Sequence, residues 1–193
     1  MKIVGKRFYL RDPDKVAKSL LGKILVRKIG NKVLSGKIVE TEAYFGEDDP
    51  ASRAYKRKYK KFYEMMKGEV GRSFIYVVHA NCLFNIVAHK KNEVGAILIR
   101  AIEPLEGIDV MIKNRNVQNI LNLTNGPGKL TKALNITLND NKIDLTSQKS
   151  KIFVIENKER FKILTSKRIG VSRDLEEDLR FFIEGNRFVS KRK

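Results

Sequence analysis

The sequence predicts an α+β fold, a sheet with helices around it rather than a regular α/β alternation. Runs of Ile, Val and Leu at 74–78, 83–88 and 95–101 read as strands buried near the centre of a sheet. Strand and helix patterns do not alternate strictly along the chain, which argues against a doubly wound parallel sheet. A hydrophobic share of 42% in 193 residues is enough for a real core. That length fits one domain, or at most two small ones, and residues 1–193 are read as one.

Taken in order, Asp12-Pro13-Asp14 opens a helix. Asp12 suits the cap, Pro13 the first helical position, and Gly22 stops it. Val16, Ala17, Leu20 and Leu21 form its apolar stripe. Ile24 to Ile29 and Val33 to Glu42 form a hairpin around Gly30-Asn31. Residues 45–72 read as a long loop with some helix. The strands at 74–78, 83–88 and 95–101 follow. Glu103-Pro104-Leu105-Glu106 is expected to start a helix running towards Arg115, with a short helix before Asn125. Gly126-Pro127-Gly128-Lys129 is a turn into a helix over 130–134. It is not a phosphate-binding Walker loop, because Leu123 and Leu130 stand where that loop needs Gly and Ser or Thr. Further strands are expected at 152–155, 168–171 and 179–183. Lys191-Arg192-Lys193 is a basic, frayed tail.

Charge is the loudest global signal. Forty Lys and Arg against 22 Asp and Glu give a net charge of +18, a field that attracts polyanions, nucleic acid above all. A lysine-rich composition bias, a membrane surface or plain solubility are the competing explanations. Residues 53–67 interleave seven Lys or Arg with Tyr55, Tyr59, Phe62 and Tyr63, which suits a nucleic-acid surface as well as it suits a solvated basic helix. No apolar run approaches a membrane span. Met1 to Lys6 lack the apolar core and cleavage site of a signal peptide. The one cysteine, Cys82, rules out an intrachain disulfide framework. A reducing cytosol is the expected setting.

The chemistry concentrates at Val39-Glu40-Thr41-Glu42-Ala43-Tyr44. Side chains two apart share a face of a strand. Glu40, Glu42 and Tyr44 thus continue the row of Leu34, Gly36 and Ile38 from core towards cleft. A carboxylate there could activate water, and a ring beside it could hold a flat substrate. Spacing alone leaves two matters open: whether Glu40 or Glu42 would do this, and whether both are merely solvated acids at a strand end. Arg100 interrupts an apolar strand and calls for a carboxylate or phosphate. His79, Cys82 and His89 lack a fourth ligand and a standard metal spacing, so no metal is expected. Cys82 reads as a small buried hydrophobe, and no Gly-x-Ser-x-Gly elbow is present.

Seven blocks spread over nearly the whole chain, in order, resemble the alkyladenine (3-methyladenine) DNA glycosylase family. They begin with Val39 to Tyr44 and Asp49-Pro50-Ala51-Ser52. Ile75 to Val78, Phe84 to Val87 and Leu98 to Gly107 follow. Gly126 to Leu130 with Ala133-Leu134, Arg168 to Val171, and Leu179 to Ser190 complete the set. Each is weak alone; together they are specific. The resemblance implies one mixed domain around a curved, partly barrel-like antiparallel sheet. It implies a monomeric, monofunctional enzyme that acts on damaged double-stranded DNA with no metal or cofactor, flipping a purine out and hydrolysing its bond to deoxyribose. Glu42 matches the carboxylate that activates water, and Arg100 a residue near that water. Tyr44 and Tyr76 match rings that sandwich the base, Asn85 a residue that screens the purine edge, and Lys129 one that approaches the backbone. Glu40 is expected to pair with a cation. The chain departs from the family pattern at Arg53, where histidine is usual, and at His79, which falls at the place of an intercalating tyrosine. The alternative from another class is a basic DNA- or RNA-binding domain without catalysis.

Overall fold

The structure, a computed structural model, describes residues 2–190; the basic tail at 191–193 lies outside them. Among the described residues five α-helices surround one sheet of eight strands. The helices are α1 (Lys6–Tyr9), α2 (Pro13–Leu20), α3 (Lys60–Met66), α4 (Ile108–Arg115) and α5 (Pro127–Ala133). The strands are β1 (Ile24–Ile29), β2 (Lys32–Tyr44), β3 (Ser73–Val78), β4 (Asn81–Val87), β5 (Ala96–Glu106), β6 (Ile152–Ile155), β7 (Ile163–Ser166) and β8 (Arg180–Ile183). The expected α+β class and the curled antiparallel sheet are both observed.

The sheet runs β3-β4-β5-β2-β1-β6, and every pairing is antiparallel. Its organising strand is β2. One edge of β2 pairs with β5 along nearly its whole length. The other edge pairs first with β1 and then, from Glu40 to Glu42, with β8, which also carries β7. A strand with different neighbours along one edge must bend, and β2 bends at bulges. Ile38 faces Ile102 and Glu40 faces Ala101, so Val39 is an extra residue on β2; Thr41 then faces Ile99, so Arg100 is an extra residue on β5. The second bulge restores the register lost at the first. A bulge re-aims side chains locally, and this pair brings Glu40 and Arg100 together.

The apolar faces meet as expected. Val16, Ala17 and Leu20 of α2 are fully buried against the sheet, and the Thr41 hydroxyl donates to the Ala17 carbonyl at 3.0 Å. Asp12 stands at the start of α2, but its carboxylate pairs with Lys15 and Lys90 instead of capping the helix. Helix α5 packs on β4, tied by the Thr131 hydroxyl donating to the Cys82 carbonyl at 2.8 Å. There is no room for a side chain at Gly128, where a Cβ would sit 2.8 Å from the Asn81 Cβ.

Two expectations are corrected. The segment at Glu103–Glu106 is the end of β5, not the start of a helix. Leu105 is a third bulge, between the pairs Gly36–Pro104 and Ser35–Glu106, and a bulge is where a strand tolerates proline. The helix begins only after Gly107, whose φ of 70° turns the chain. Residues 168–171 are not a strand either; the strand lies earlier, at Ile163–Ser166. The Arg168 side chain is drawn into the interior by two carboxylates, which pulls its segment off the sheet.

Candidate active site

The two acids of β2 lie on one face and are completely buried. Neither is a solvated strand-end acid. Glu40 accepts four hydrogen bonds. Arg180 Nε donates at 2.7 Å, Arg100 Nε at 3.0 Å, and the Ser190 amide and hydroxyl at 2.7 Å each. The expectation that Glu40 pairs with a cation is met twice over. Arg100 also reaches Glu42, with Nη1 at 3.3 Å from Oε1. The cation predicted to want a carboxylate thus bridges two.

Glu42 is held by two hydrogen bonds and an ion pair, from three parts of the chain. The Tyr44 hydroxyl donates to Oε2 at 2.7 Å, and the Ile169 amide to Oε1 at 2.8 Å. Arg100 supplies the ion pair. Burial raises the Glu42 pKa; Arg100, the Ile169 N–H and the Tyr44 hydroxyl pull it back, and the carboxyl remains above the ordinary glutamate range. Burial opposes the charge of Arg100, yet Glu42 and Glu40 outweigh it and keep the guanidinium charged. Burial, reinforced by Glu42, pushes the Tyr44 phenol up, so it stays a donor.

Beside this group opens a cavity of about 670 Å³, within the range of small-molecule sites. Tyr44 and Arg100 line it, so its floor adjoins Glu42, which is not itself a wall residue. Tyr76, Arg53 and His79 also line it, as does the segment 169–172. The Arg53 guanidinium already covers Tyr76, with its carbon 5.0 Å from the ring centroid. His79 and Ala80 form the exposed turn of the β3–β4 hairpin, both with positive φ.

Six of the eight residues singled out from the sequence therefore converge: Glu42, Arg100, Tyr44, Arg53, Tyr76 and His79. Asn85 and Lys129 do not line the cavity. Asn85 is buried and donates to the carbonyls of Phe74 at 3.0 Å and Leu83 at 3.2 Å. Lys129 Nζ donates to Asn125 Oδ1 at 2.8 Å; partial burial, with Arg115 nearby, lowers its pKa. Among the described residues no cluster of His, Cys, Asp or Glu could hold a metal, and His89 pairs with two backbone carbonyls.

Sequence reading missed Arg180, Ser190 and Arg168. Ser190 lies in the last of the recognised blocks but carries no individual signal. Arg168 did carry one: a charge before an apolar pair poses the same question as Arg100, namely which carboxylate it meets.

The chain is similar to known proteins over nearly its whole length. A family model described as methylpurine-DNA glycosylase matches residues 7–187. A protein of Clostridium novyi named "Putative 3-methyladenine DNA glycosylase" is 42% identical over the full length of both chains. Proteins of the same name from Desulfitobacterium hafniense and Francisella tularensis are 41% and 43% identical, covering 98% and 91% of this chain and 99% and 92% of theirs. No helix among the described residues is long and apolar enough to cross a membrane. This chain belongs to the methylpurine-DNA glycosylase family of enzymes.

Proposed function

We propose that the protein removes damaged purines from duplex DNA by flipping the base into the Tyr44–Tyr76 cavity and hydrolysing its N-glycosidic bond with a water activated by Glu42. The observation that carries the reading is the placement of Glu42. It is a buried carboxylate, hydrogen-bonded by the hydroxyl of the tyrosine that lines a cavity with room for a base, in a chain of net charge +18.

The positive surface binds the phosphates and releases counterions. A base within the stack is unreachable, so it is extruded at a cost of about a few kcal/mol, least where damage weakens pairing. His79, exposed at the hairpin turn, enters from the minor groove and fills the gap the base leaves. In the cavity the base stacks on Tyr44 and Tyr76. Glu42 takes a proton from water as its oxygen attacks the sugar carbon and the electron pair of the broken bond leaves with the base. The same carboxylate stabilises the cationic sugar of the transition state, as carboxylates do in glycoside hydrolysis. Arg100 opposes the rise that burial imposes on the Glu42 pKa, and Glu40 balances Arg100 from behind.

Arg53 sets the lesion class. Its permanent charge lies against Tyr76, where it repels a cationic alkylpurine and tolerates a neutral lesion such as hypoxanthine or ethenoadenine. Asn85, turned to backbone carbonyls, receives no contact with the base in this reading.

The test is a duplex carrying one hypoxanthine or ethenoadenine, incubated with the protein and then treated with alkali. Strand breakage at the lesion is expected. No breakage with either neutral lesion or with an alkylated purine would overturn the proposal.

A further inference from the structure

The segment after β7 holds a buried guanidinium that the chemistry above does not use. The Arg168 side chain is completely enclosed. It forks onto Asp49 at 2.6 and 2.7 Å, donates to Asp174 through Nε at 2.9 Å, and donates to the Ala43 carbonyl at 2.9 Å. Its backbone amide donates to the other oxygen of Asp174 at 3.1 Å. Asp49 is itself fixed by the amides of Phe45 and Ala51 at 2.9 and 3.0 Å.

Two features tie this lock to the reacting groups. The guanidinium carbon lies 4.6 Å from the centroid of Tyr44, the ring whose hydroxyl bonds Glu42. The next residue, Ile169, gives its amide to Glu42. From these contacts we infer that Arg168 is a positioning residue: it rivets the end of β2 to the 167–172 segment, and so sets the Tyr44 wall and the Ile169 donor at fixed distances from Glu42. The inference rests on the roles proposed above for Glu42 and Tyr44.

Stability alone is a poor reason for such a lock. Burying one cation with two carboxylates carries a large desolvation cost that well-packed apolar groups avoid. What the lock supplies is direction. A planar fork can satisfy two carboxylates and a carbonyl at once, and a lysine ammonium cannot reproduce that geometry. The other groups facing Glu42 are Glu40 and Tyr44 of β2, Arg100 of β5, Arg180 opposite it on β8, and Tyr76 of β3. Arg168 touches Tyr44 among these, and reaches Glu42 itself only through its neighbour's amide.

The experiment measures base release at saturating lesion duplex, across pH, for the natural protein, Arg168→Lys and Asp174→Asn. Misplacing reacting groups by about 1 Å costs up to roughly 100-fold in rate. Arg168→Lys is therefore expected to lose about 10- to 100-fold in rate. The acid limb of its pH profile should move to higher pH, because Glu42 loses an N–H donor. Asp174→Asn should shift both readouts the same way by less. Binding of undamaged duplex should not change. A folded Arg168→Lys protein with the natural rate and an unmoved acid limb would overturn the inference, since a merely structural lock alters only the melting temperature. If Arg168→Lys does not fold, unchanged readouts in Asp174→Asn overturn it equally. Absence of release by the natural protein would instead strike the proposed reaction, and this inference with it.

Discussion

Glu40 and Glu42 are the same residue type, two positions apart and both fully buried, yet removing their charges should have opposite consequences. Glu40 accepts four hydrogen bonds, two of them from the guanidinium groups of Arg100 and Arg180, which are themselves almost fully buried. Glu40→Gln leaves those cations undercompensated. Breaking a buried pair in this way costs about 3–5 kcal/mol. At about 2–4 °C per kcal/mol for a chain of this size, the melting temperature should fall by roughly 6–20 °C. Glu42→Gln leaves Arg100 paired with Glu40. Because burial raises the Glu42 pKa in the folded state, folding favours its protonated form. Its contribution to stability is fully present below the unfolded pKa and is lost as pH rises through the folded pKa. A neutral glutamine has no such loss. Glu42→Gln should therefore melt at or above the natural temperature near neutral pH, with the difference shrinking in acid. Thermal melts of both variants at pH 4.5 and 7.5 decide the matter. Equal destabilisation by the two changes, or a larger loss from Glu42→Gln, would refute the division of labour.

Other changes probe the site one contact at a time. Tyr44→Phe removes the hydroxyl that donates to Glu42 at 2.7 Å; the Glu42 pKa should rise further, and the acid limb of base release should move to higher pH while stacking persists. An unmoved limb would separate Tyr44 from the reacting carboxylate. Arg53→His removes the fixed charge over Tyr76. It should raise excision of 3-methyladenine relative to hypoxanthine, measured as a ratio of single-turnover rates on the two substrates, and an unchanged ratio would remove Arg53 from specificity. Gly128→Ala drives a methyl into Asn81, beside the turn of the β3–β4 hairpin. Overpacking of this kind costs about 1–3 kcal/mol, and it should weaken lesion-duplex binding by displacing His79, as read by a fluorescence titration.

The parts of this molecule that its sequence reveals are those governed by short-range rules. Strand alternation puts Glu40, Glu42 and Tyr44 on one face, and the rule that a buried cation needs a carboxylate finds the partners of Arg100. What stays hidden depends on register between distant segments. The bulges at Val39 and Arg100 exist only in the pairing of β2 with β5. Glu103–Glu106 carries a proline and acids that suit a helix start, but long-range pairing keeps it in the sheet and moves the helix beyond Gly107. Arg168 to Val171 has the apolar rhythm of a strand, and tertiary ion pairs override it. Ser190 reaches Glu40 across 150 positions, a distance no local pattern spans. For Asn85 and Lys129 the resemblance named the residues, but their side chains turn to the Phe74 carbonyl and to Asn125 rather than to the cavity.

The central claim is that Glu42 performs the chemistry and contributes nothing to holding DNA. Its most direct test pairs two readings on Glu42→Gln: affinity for a hypoxanthine duplex, and release of the base from that duplex. Affinity close to that of the natural protein, with release abolished, is the predicted result. Release at the natural rate, or binding lost together with it, would contradict the account.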